Sequence, residues 1–521
     1  MSSTRPDVFA SLPRLDRHRP KGEVRRSRVA RWRALALIAV HVLIAVHIWH
    51  WLATGETVTP VEPSEAMQTI EAGRINAGFL LFTLMVASTL LVGRFFCGWA
   101  CHLVALQDLS AWLLRRVGWR PRPVRSRLLV AAPWVVGGYM FVWPVVRAWL
   151  GWVEPLPKVD AWQWQLTTSD LWATFPGPIM TTMTVLVVGG LIVWWLGAKG
   201  FCTYGCPYGA FFAMADRLAP VRIVVDRSKC EHCGHCTEAC SSNVRVHEEV
   251  ARHGKVVDPG CMKCLDCVSV CPKDALRVGL AAPKPLVLSQ QRIAARGDFR
   301  WWEELLLAAV ALVATQWVWR GAWFGEAVPF LLSVGLGALT AVSTLLLLRL
   351  LLRAEVTFQH TLLRRAGRCT RAGRWAFVGL AAWLLFAGHT FVAQRNRAAV
   401  LAEVDALSAS ATAADLERAL GDADRAHGWD LVDDPRVGEV RGLLLRRLQR
   451  HAEAERALLA SYRAAGHLSF GQANLVLAMY SMDPARRRYN LARELVDAVL
   501  ARAPEHPVAL QLRSQLDRLA K

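Results

Sequence analysis

Eight of the 13 cysteines in this 521-residue chain form two runs that share one spacing, C-x2-C-x2-C-x3-C. We call residues 230–240 the first run and residues 261–271 the second run. In this spacing three thiolates bind one iron–sulfur cluster, and the fourth cysteine of the run ligates the other cluster. The spacing predicts two [4Fe–4S] clusters, one held by Cys230, Cys233, Cys236 and Cys271 and one held by Cys261, Cys264, Cys267 and Cys240. Zinc sites seldom place four cysteines in so short a segment, which argues against zinc.

Four more cysteines form two C-x3-C motifs, each directly after an apolar stretch: Cys97 with Cys101 (the first edge motif) and Cys202 with Cys206 (the second edge motif). In a continuous helix this spacing places both sulfurs on one face, one turn apart. Pro207 suits the first position of a helix over about Tyr208 to Leu218, whose N-terminus would lower the pKa of Cys206. Redox thiols, a further metal site and small buried residues at tight helix ends all fit this pattern.

Histidines lie in two apolar stretches, His41, His47 and His50 in the first and His389 in the last. Imidazole inside a bilayer raises a functional question, because polar groups are costly there. His47 and His50 share a helix face, where copper or another metal, a b-type haem or a quinol head group would fit. The alternative is that these histidines, beside Trp49 and Trp51, anchor a helix end at the membrane interface.

The elements that position these residues are mostly membrane-spanning helices. Hydrophobic residues make up 54% of the chain, which also carries 23 Trp. Seven stretches are near the length that crosses a bilayer. They are about Leu35–Ala53, Asn76–Gly93, Leu128–Val146, Pro178–Gly197, Leu305–Val318, Ala327–Leu348 and Ala376–Val392. The predicted fold is a multi-span α-helical membrane protein with a two-cluster ferredoxin-like α+β insert and a C-terminal all-α helical-repeat domain.

Loop charge predicts the orientation of these spans, because Lys and Arg stay on the cytoplasmic side. Residues 1–34 carry ten Arg or Lys against three acids, whereas residues 54–75 carry four Glu against one Arg. This pattern places the protein in a bacterial cytoplasmic membrane, with the cysteine runs in the cytoplasm and the C-terminal domain in the periplasm. The net charge of +20 then reflects contact with anionic lipid rather than with nucleic acid.

The expected organisation has five segments. A basic cytoplasmic N-terminus (1–34) precedes a four-span unit (35–198) with both edge motifs, and a cytoplasmic segment (199–300) carries the ferredoxin domain at about 221–280. Three further spans (301–393) lead to a helical domain (394–521). Within that domain, Tyr489 to Leu510 is similar to a tetratricopeptide repeat, and repeat surfaces of this kind commonly bind protein.

Paired C-x3-C motifs after apolar stretches, followed by two cluster-binding runs, resemble the membrane-bound polyferredoxins over about residues 35–280. That family includes the quinol-oxidising subunit of periplasmic nitrate reductase, the nitrous-oxide-reductase maturation protein and the copper reductase of cytochrome-oxidase assembly. The segment from Cys202 to Ala210 is most similar to the family pattern, whereas His102 stands where the first motif of the family has proline. The resemblance implies electron transfer between a quinol pool or a cytoplasmic donor and a periplasmic metalloenzyme or copper.

Three functions fit these observations. The first is an electron relay between a cytoplasmic or quinol donor and a membrane or periplasmic acceptor, in support of a respiratory metalloenzyme. The second is a copper or metal reductase, which would need a substrate site such as His47 and His50 with Cys97 or Cys202. The third is a redox sensor or assembly scaffold. Predicted partners are membrane lipid, quinone or a redox protein, and a periplasmic protein at the C-terminal domain.

Overall fold

The computed structural model describes residues 23–119, 124, 126, 128–173, 175–242, 244–283, 299–323, 326–406, 411–431 and 434–519. Within these residues the chain forms two compact units. Unit 1 comprises the described residues of 1–175, 182–308 and 354–372, and unit 2 comprises those of 176–181, 309–353 and 373–521. Residues 1–22 of the expected basic N-terminus and residues 284–298 of the expected cytoplasmic segment lie outside the described residues.

Four helical stretches are long and apolar enough to cross a membrane: Val29–Thr54, Pro178–Leu196, Phe330–Leu352 and Arg371–Ala402. They correspond to four of the seven predicted spans. The predicted span at Asn76–Gly93 is a shorter apolar helix, Ala77–Val92. The remaining two are helices with π-helical turns, at Gly138–Val142 and Ala314–Trp319. The chain is therefore a membrane protein.

The chain up to the first run is helical with short breaks. Its helices are α1 Val29–Thr54, α2 Ala66–Ala72, α3 Ala77–Val92, α4 Phe95–Trp99, α5 His102–Arg116, α6 Ala132–Gly137, α7 Trp143–Trp149, α8 Pro178–Thr184, α9 Ile192–Leu196, α10 Gly200–Tyr204 and α11 Pro207–Leu218. The helix after each edge motif packs on the apolar helix of the other motif: α5 contacts α9, and α11 contacts α3. The two halves of the membrane unit are thereby interleaved.

Short strands join the two loops at the C-terminal end of α1. They are β1 Thr57–Val58, β2 Arg74–Ile75, β3 Gln163–Trp164 and β4 Thr167–Thr168, with β1 antiparallel to β4 and β2 parallel to β3. At the N-terminal end of α1, Ser27 Oγ donates to Asp266 Oδ1 at 2.7 Å. Because α1 has 26 residues and spans about 39 Å, these loops and the second run lie at opposite ends of the helix.

Both runs belong to one small α+β fold. Its elements are β5 Val221–Val225, α12 His235–Glu238, α13 Val246–His253, α14 Asp266–Ser269 and β6 Leu276–Leu280. The strands β5 and β6 are antiparallel, with Val221 opposite Leu280 and Val225 opposite Leu276. Ile223 and Val250 lie in the core beneath the runs. The short helices α12 and α14 begin after the second cysteine of each run and carry the chain toward the fourth.

Past the runs, unit 1 adds a small sheet and unit 2 contains the last apolar helices. The elements are α15 Trp301–Val313, β7 Ala322–Trp323, β8 Glu326–Ala327, α16 Phe330–Leu352, β9 Val356–Phe358, β10 Thr361–Arg365, β11 Arg368–Cys369 and α17 Arg371–Ala406. The expected domain boundary between residues 393 and 394 lies inside α17.

The C-terminal part of unit 2 is all helical. Its helices are α18 Ala413–Trp429, α19 Pro435–Arg447, α20 His451–Ala465, α21 Gly471–Ser481, α22 Tyr489–Arg502 and α23 Pro507–Leu519. Neighbouring helices pack in sequence, α19 on α20 and α21 on α22. The helices α19, α21 and α23 begin 36 residues apart, and leucine, valine and alanine side chains fill the spaces between them.

Candidate functional site

One cavity is lined by cysteines from both runs. The lining includes Cys230, Cys233, Cys236 and Cys271, the set that the spacing predicts for one cluster. Burial, followed by the thiols of Cys233, Cys271 and Cys230, raises the pKa of Cys236 to about 12. Thiolates in this cavity therefore need a positive charge between them, which iron supplies.

The other four cysteines of the runs also meet. Cys240, Cys264 and Cys267 are buried. Burial, followed by the thiols of Cys264, Cys261 and Cys240, raises the pKa of Cys267 well above its ordinary value. Cys240 and Cys236 of the first run therefore both lie near Cys267 of the second run. Across the described residues, no three or more His, Cys, Asp or Glu side chains are grouped as a single metal ion requires.

The two runs have the same backbone conformation. The residue before the second cysteine is left-handed in both, with φ of 50° at His232 and at Lys263. The residue after that cysteine is also left-handed, with φ of 83° at Gly234 and 65° at Leu265. A left-handed backbone is strained for a residue with a side chain, so the structure around Leu265 imposes this turn. The two runs thus share a backbone conformation as well as a cysteine spacing.

Backbone N–H groups point at the fourth cysteine of each run. Val244 N donates to Cys240 Sγ at 3.4 Å, and Ala275 N donates to Cys271 Sγ at 3.3 Å. Each donor lies four residues after its cysteine. Such N–H···S bonds stabilise negative charge on sulfur and raise the reduction potential of a bound cluster.

A buried arginine of the first apolar helix contacts the second run. Arg33 of α1 pairs with Asp266 Oδ2 at 3.1 Å and with Asp108 Oδ2 of α5 at 3.2 Å. Its guanidinium also interacts electrostatically with the Cys264 thiol. Arg28 N donates to Ser269 Oγ at 2.8 Å. The loop that carries Cys264 is therefore fixed to the start of a membrane helix.

The edge motifs do not lie on continuous helices, in contrast to the expectation. In the first motif α4 ends at Trp99, and α5 begins at His102 with Cys101 as its N-cap. In the second motif Cys206 is the N-cap of α11, which begins at Pro207 as predicted. The helix start at His102 shows that proline is not required there. Each motif therefore places one sulfur on a short helix and the other at the N-terminus of the next helix.

The expectation of a low pKa at Cys206 is wrong. Burial, followed by the thiols of Cys101 and Cys97, raises its pKa to about 12, although the N–H of Gly209 opposes this shift. Burial and the neighbouring Cys206 thiol likewise raise the pKa of Cys202 to about 12. The structure thus brings both edge motifs together, and the helix N-terminus does not outweigh the loss of water.

Sequence reasoning missed a buried charge network at the same place. Asp216 of α11 is fully buried and pairs with Lys263 Nζ at 3.0 Å and Arg222 Nη1 at 2.9 Å. Its Oδ1 also accepts the backbone N–H of Arg94 at 3.2 Å. Lys199, which is also fully buried, pairs with Asp108 at 3.1 Å. One signal was available: Arg94 and Lys199 each stand three residues before the first cysteine of an edge motif.

The membrane histidines have hydrogen bonds of their own. His47 Nε2 lies 2.8 Å from Val58 O, and His50 Nδ1 lies 3.0 Å from Thr57 Oγ1. These contacts tie the C-terminal end of α1 to β1. In unit 2, the His389 ring lies 5.5 Å from the Trp429 ring.

A groove of about 1080 Å³ runs along α1 and α5 toward the second run. Its walls are mostly apolar and include Ala34, Leu37, Ile38 and Leu109. Polar groups line one end, from Arg33, Asp108, Glu238 and Asp266, and His41 lies further along. The groove therefore has an apolar body and a charged end beside the loop of Cys264.

Two family models match the chain. A 4Fe-4S binding domain matches residues 77–120 and 179–224, and a 4Fe-4S dicluster domain matches residues 222–272. Each of the two segments that the first model matches contains one edge motif. The segment that the second model matches contains both runs. Together they support two [4Fe–4S] clusters as cofactors of this chain.

Curated relatives cover the same part of the chain. The ferredoxin-type protein NapH of Haemophilus influenzae is 27% identical over 43% of this chain and 73% of its own length. The putative electron transport protein YccM of Escherichia coli is 23% identical over 46% and 71%. Protein NirI of Paracoccus denitrificans is 26% identical over 39% and 30%. No solved structure matches the chain significantly. Over its edge motifs and runs, the chain is therefore similar to a family of 4Fe-4S polyferredoxins such as NapH and NirI.

Proposed function

We propose that this protein transfers electrons between membrane quinol or quinone and a redox partner, in support of a respiratory metalloenzyme. The observation that carries the proposal is the groove between α1 and α5, which ends at the residues that contact Cys264. An apolar body with a few polar groups at one end suits a ligand with an isoprenoid tail and a polar head. The names of the relatives, a ferredoxin-type protein and a putative electron transport protein, support the same class of activity.

The eight cysteines of the runs are the proposed cluster ligands, in the crossed sets that the spacing predicts. The cavity lined by Cys236 and Cys271 supports this assignment for one set, and the electrostatic interaction of Cys267 with Cys264, Cys261 and Cys240 supports it for the other. Bound there, [4Fe–4S] clusters supply one-electron chemistry. The chain itself contributes burial, the N–H···S bonds at Cys240 and Cys271, and the positive charge of Arg33 near Cys264.

Arg33 and Asp108 orient a ligand in the groove. The guanidinium donates and the carboxylate accepts, so the pair offers both kinds of hydrogen bond to a quinol head group. Arg33 also contacts Cys264, which places the head group next to the proposed ligand loop. His41 uses Nδ1 to bond Leu37 O at 2.8 Å and lines the same groove. An imidazole there can accept a proton as a quinol is oxidised.

The proposed orientation has the runs in the cytoplasm and the C-terminal helical domain in the periplasm. Loop charge supports this proposal. The contacts of the second run with the start of α1, and of β1 with its end, agree with an orientation in which α1 crosses the membrane. We propose that the C-terminal helices are repeats of the tetratricopeptide type that bind a periplasmic protein. Their 36-residue spacing is close to the 34 residues typical of that repeat.

Filling the groove tests the quinol site. Ala34→Trp places a large side chain in the groove, whereas Ala39, also exposed on α1, is not part of its lining. Ala39→Trp is therefore a matched control. The assay is the anaerobic reduction of purified protein by duroquinol, or its oxidation by duroquinone, followed by the visible absorbance of the clusters.

We expect Ala34→Trp to slow the reaction by about tenfold or more and Ala39→Trp to leave its rate within about twofold of wild type. A tenfold loss corresponds to a loss of ~1.4 kcal/mol in the free energy of quinol binding. Equal rates in both variants would mean that quinol does not bind in this groove. Clusters that exchange no electrons with either reagent, but that break down in oxygen, would instead favour the sensor.

A further inference from the structure

The four cysteines of the edge motifs meet in one place. Cys101 interacts electrostatically with Cys202 and Cys97, and Cys206 interacts with Cys101 and Cys97. All four are present as free thiols, with Cys97 and Cys202 buried. Because α5 packs on α9 and α11 packs on α3, each half of the membrane unit brings its sulfurs to the other half. The site is therefore shared between the two motifs.

Buried positive charge accompanies the four sulfurs. The Arg94 guanidinium interacts electrostatically with Cys97 and Cys206, and Lys199 interacts with Cys202. Arg94 is 4% exposed and Lys199 is 0% exposed. Burying a cation is costly unless a negative charge compensates it. Lys199 already pairs with Asp108, whereas the Arg94 guanidinium forms no ion pair within the described part of the chain, so four thiolates around a metal centre would supply the negative charge that Arg94 lacks.

Two buried polar atoms beside the sulfurs have no hydrogen-bond partner. Gln107 is fully buried, and its Nε2 donates to Cys202 Sγ at 3.1 Å while its Oε1 has no partner. Nε of Arg94 has none either. A buried N–H is nearly always paired, so the Nε of Arg94 indicates a missing acceptor, whereas the Oε1 of Gln107 is itself an acceptor and gives no such indication. Inorganic sulfide is an acceptor for an N–H such as that of Arg94.

The family match and the lack of a single-ion grouping among these four cysteines favour a cluster over a single ion. Neither these four cysteines nor the eight cysteines of the runs are grouped as one metal ion requires. Cysteines that ligate a cluster bind different iron atoms and stand further apart than the ligands of one ion. The 4Fe-4S binding model matches each half of the membrane unit, yet each half contains only two of these cysteines. One cluster shared by both halves accounts for two matches.

The site lies next to the second run. A Cβ at Gly98, next to Cys97, would lie 2.3 Å from Met262 O, so the α4 backbone touches the loop of that run. Trp99 Nε1 donates to Lys263 O at 3.0 Å, and Arg94 Nη1 donates to Pro259 O at 2.9 Å.

We propose that Cys97, Cys101, Cys202 and Cys206 together bind a third iron–sulfur cluster at the membrane edge, ligated by two cysteines from each half of the membrane unit. This inference extends the electron path of the proposed function, but its test needs no electron donor or acceptor.

The test is anaerobic analysis of iron and acid-labile sulfide in the purified wild-type protein, with EPR spectra during a redox titration. We expect iron and sulfide in equal excess over two [4Fe–4S] clusters. Cys97→Ser with Cys101→Ser, and separately Cys202→Ser with Cys206→Ser, should each remove the whole excess, because the cluster is shared. Cys369→Ser is the matched control, since Cys369 is exposed on β11.

Two results would overturn the proposal. One is wild-type protein without excess iron and sulfide, a result that depends on no variant and therefore on no variant's folding. The other is excess metal without sulfide, which would indicate a single ion. Gln107→Leu adds a milder readout: loss of its N–H···S bond should lower the potential of the additional EPR signal and leave the signals of the runs unchanged. Retained signals from the runs would separate this result from failure of the proposed function.

Discussion

Replacing Asp216 by Asn tests how the membrane helices hold the cluster-binding fold. The Asp216 carboxylate is fully buried on α11 and contacts Lys263 of the second run, Arg222 of β5 and the backbone N–H of Arg94. Asn keeps the size of the side chain and removes its charge. Lys263 and Arg222, whose side chains are 3% and 4% exposed, would then lose their shared counter-ion.

The expected cost is large because two buried cations are left without compensation. Removing one partner of a buried ion pair costs about 3–5 kcal/mol. For a protein of 521 residues, that corresponds to a fall of roughly 3–5 °C in the midpoint of thermal unfolding. Asp226→Asn is the control, because the Asp226 side chain is 40% exposed and its pair with Lys229 Nζ spans 3.6 Å. Exposed pairs contribute less than about 1 kcal/mol.

The assay is the anaerobic loss of cluster absorbance with rising temperature, in one detergent for all variants. Asp216→Asn should lose its clusters at a clearly lower temperature than Asp226→Asn. Adding Lys263→Met to Asp216→Asn should recover part of the lost thermal stability, because the double variant lacks one of the two uncompensated cations. Equal midpoints for the two single variants would refute the reasoning that Asp216 compensates buried charge.

Three further predictions concern separate parts of the molecule. Cys271→Ser should remove the EPR signal of the cluster lined by the first run, although Cys271 belongs to the second; loss of the other signal would mean uncrossed ligands. Gly98→Ala should cost about 1–3 kcal/mol of stability in thermal unfolding, because its Cβ would overlap Met262 O, whereas Gly138→Ala has open space and should cost less. Burial raises the pKa of Glu439, so the folded state binds a proton more tightly than the unfolded chain, and stability should fall as pH rises above ~4.3. Hydrogen exchange of α19 in Glu439→Gln should show a weaker fall with pH.

Spacing alone predicted the local features of the site. The period of the runs predicted which cysteines line the cavity between them, because three ligands and a displaced fourth follow from chain geometry. Pro207 predicted the start of α11, since its fixed φ suits the first turn of a helix. Hydropathy located all seven helical stretches, although four of them are long and apolar enough to be recognised as spans.

Features that depend on tertiary packing were not predictable in this way. The helix break between Cys97 and Cys101 has no proline to announce it, and the high pKa of Cys206 follows from burial among thiols of the other motif. The pairing of Arg33 with Asp266 joins residues more than two hundred positions apart. Such contacts become visible only once the interleaving of α3, α5, α9 and α11 is known.

The helix α17 is longer than the hydrocarbon core of a bilayer is thick. Its 36 residues run without interruption from Arg371 to Ala406, a length of about 54 Å, whereas the hydrocarbon core of a bilayer is about 30 Å thick. Arg397 on its far half pairs with Asp430 at 2.7 Å, and Val400 is packed among the C-terminal helices. The helix is therefore a rigid connection and not a flexible linker. Any protein held by the C-terminal helices would stand at a set height from the membrane, and a rigid spacer of this kind determines which redox centres of a partner come within reach.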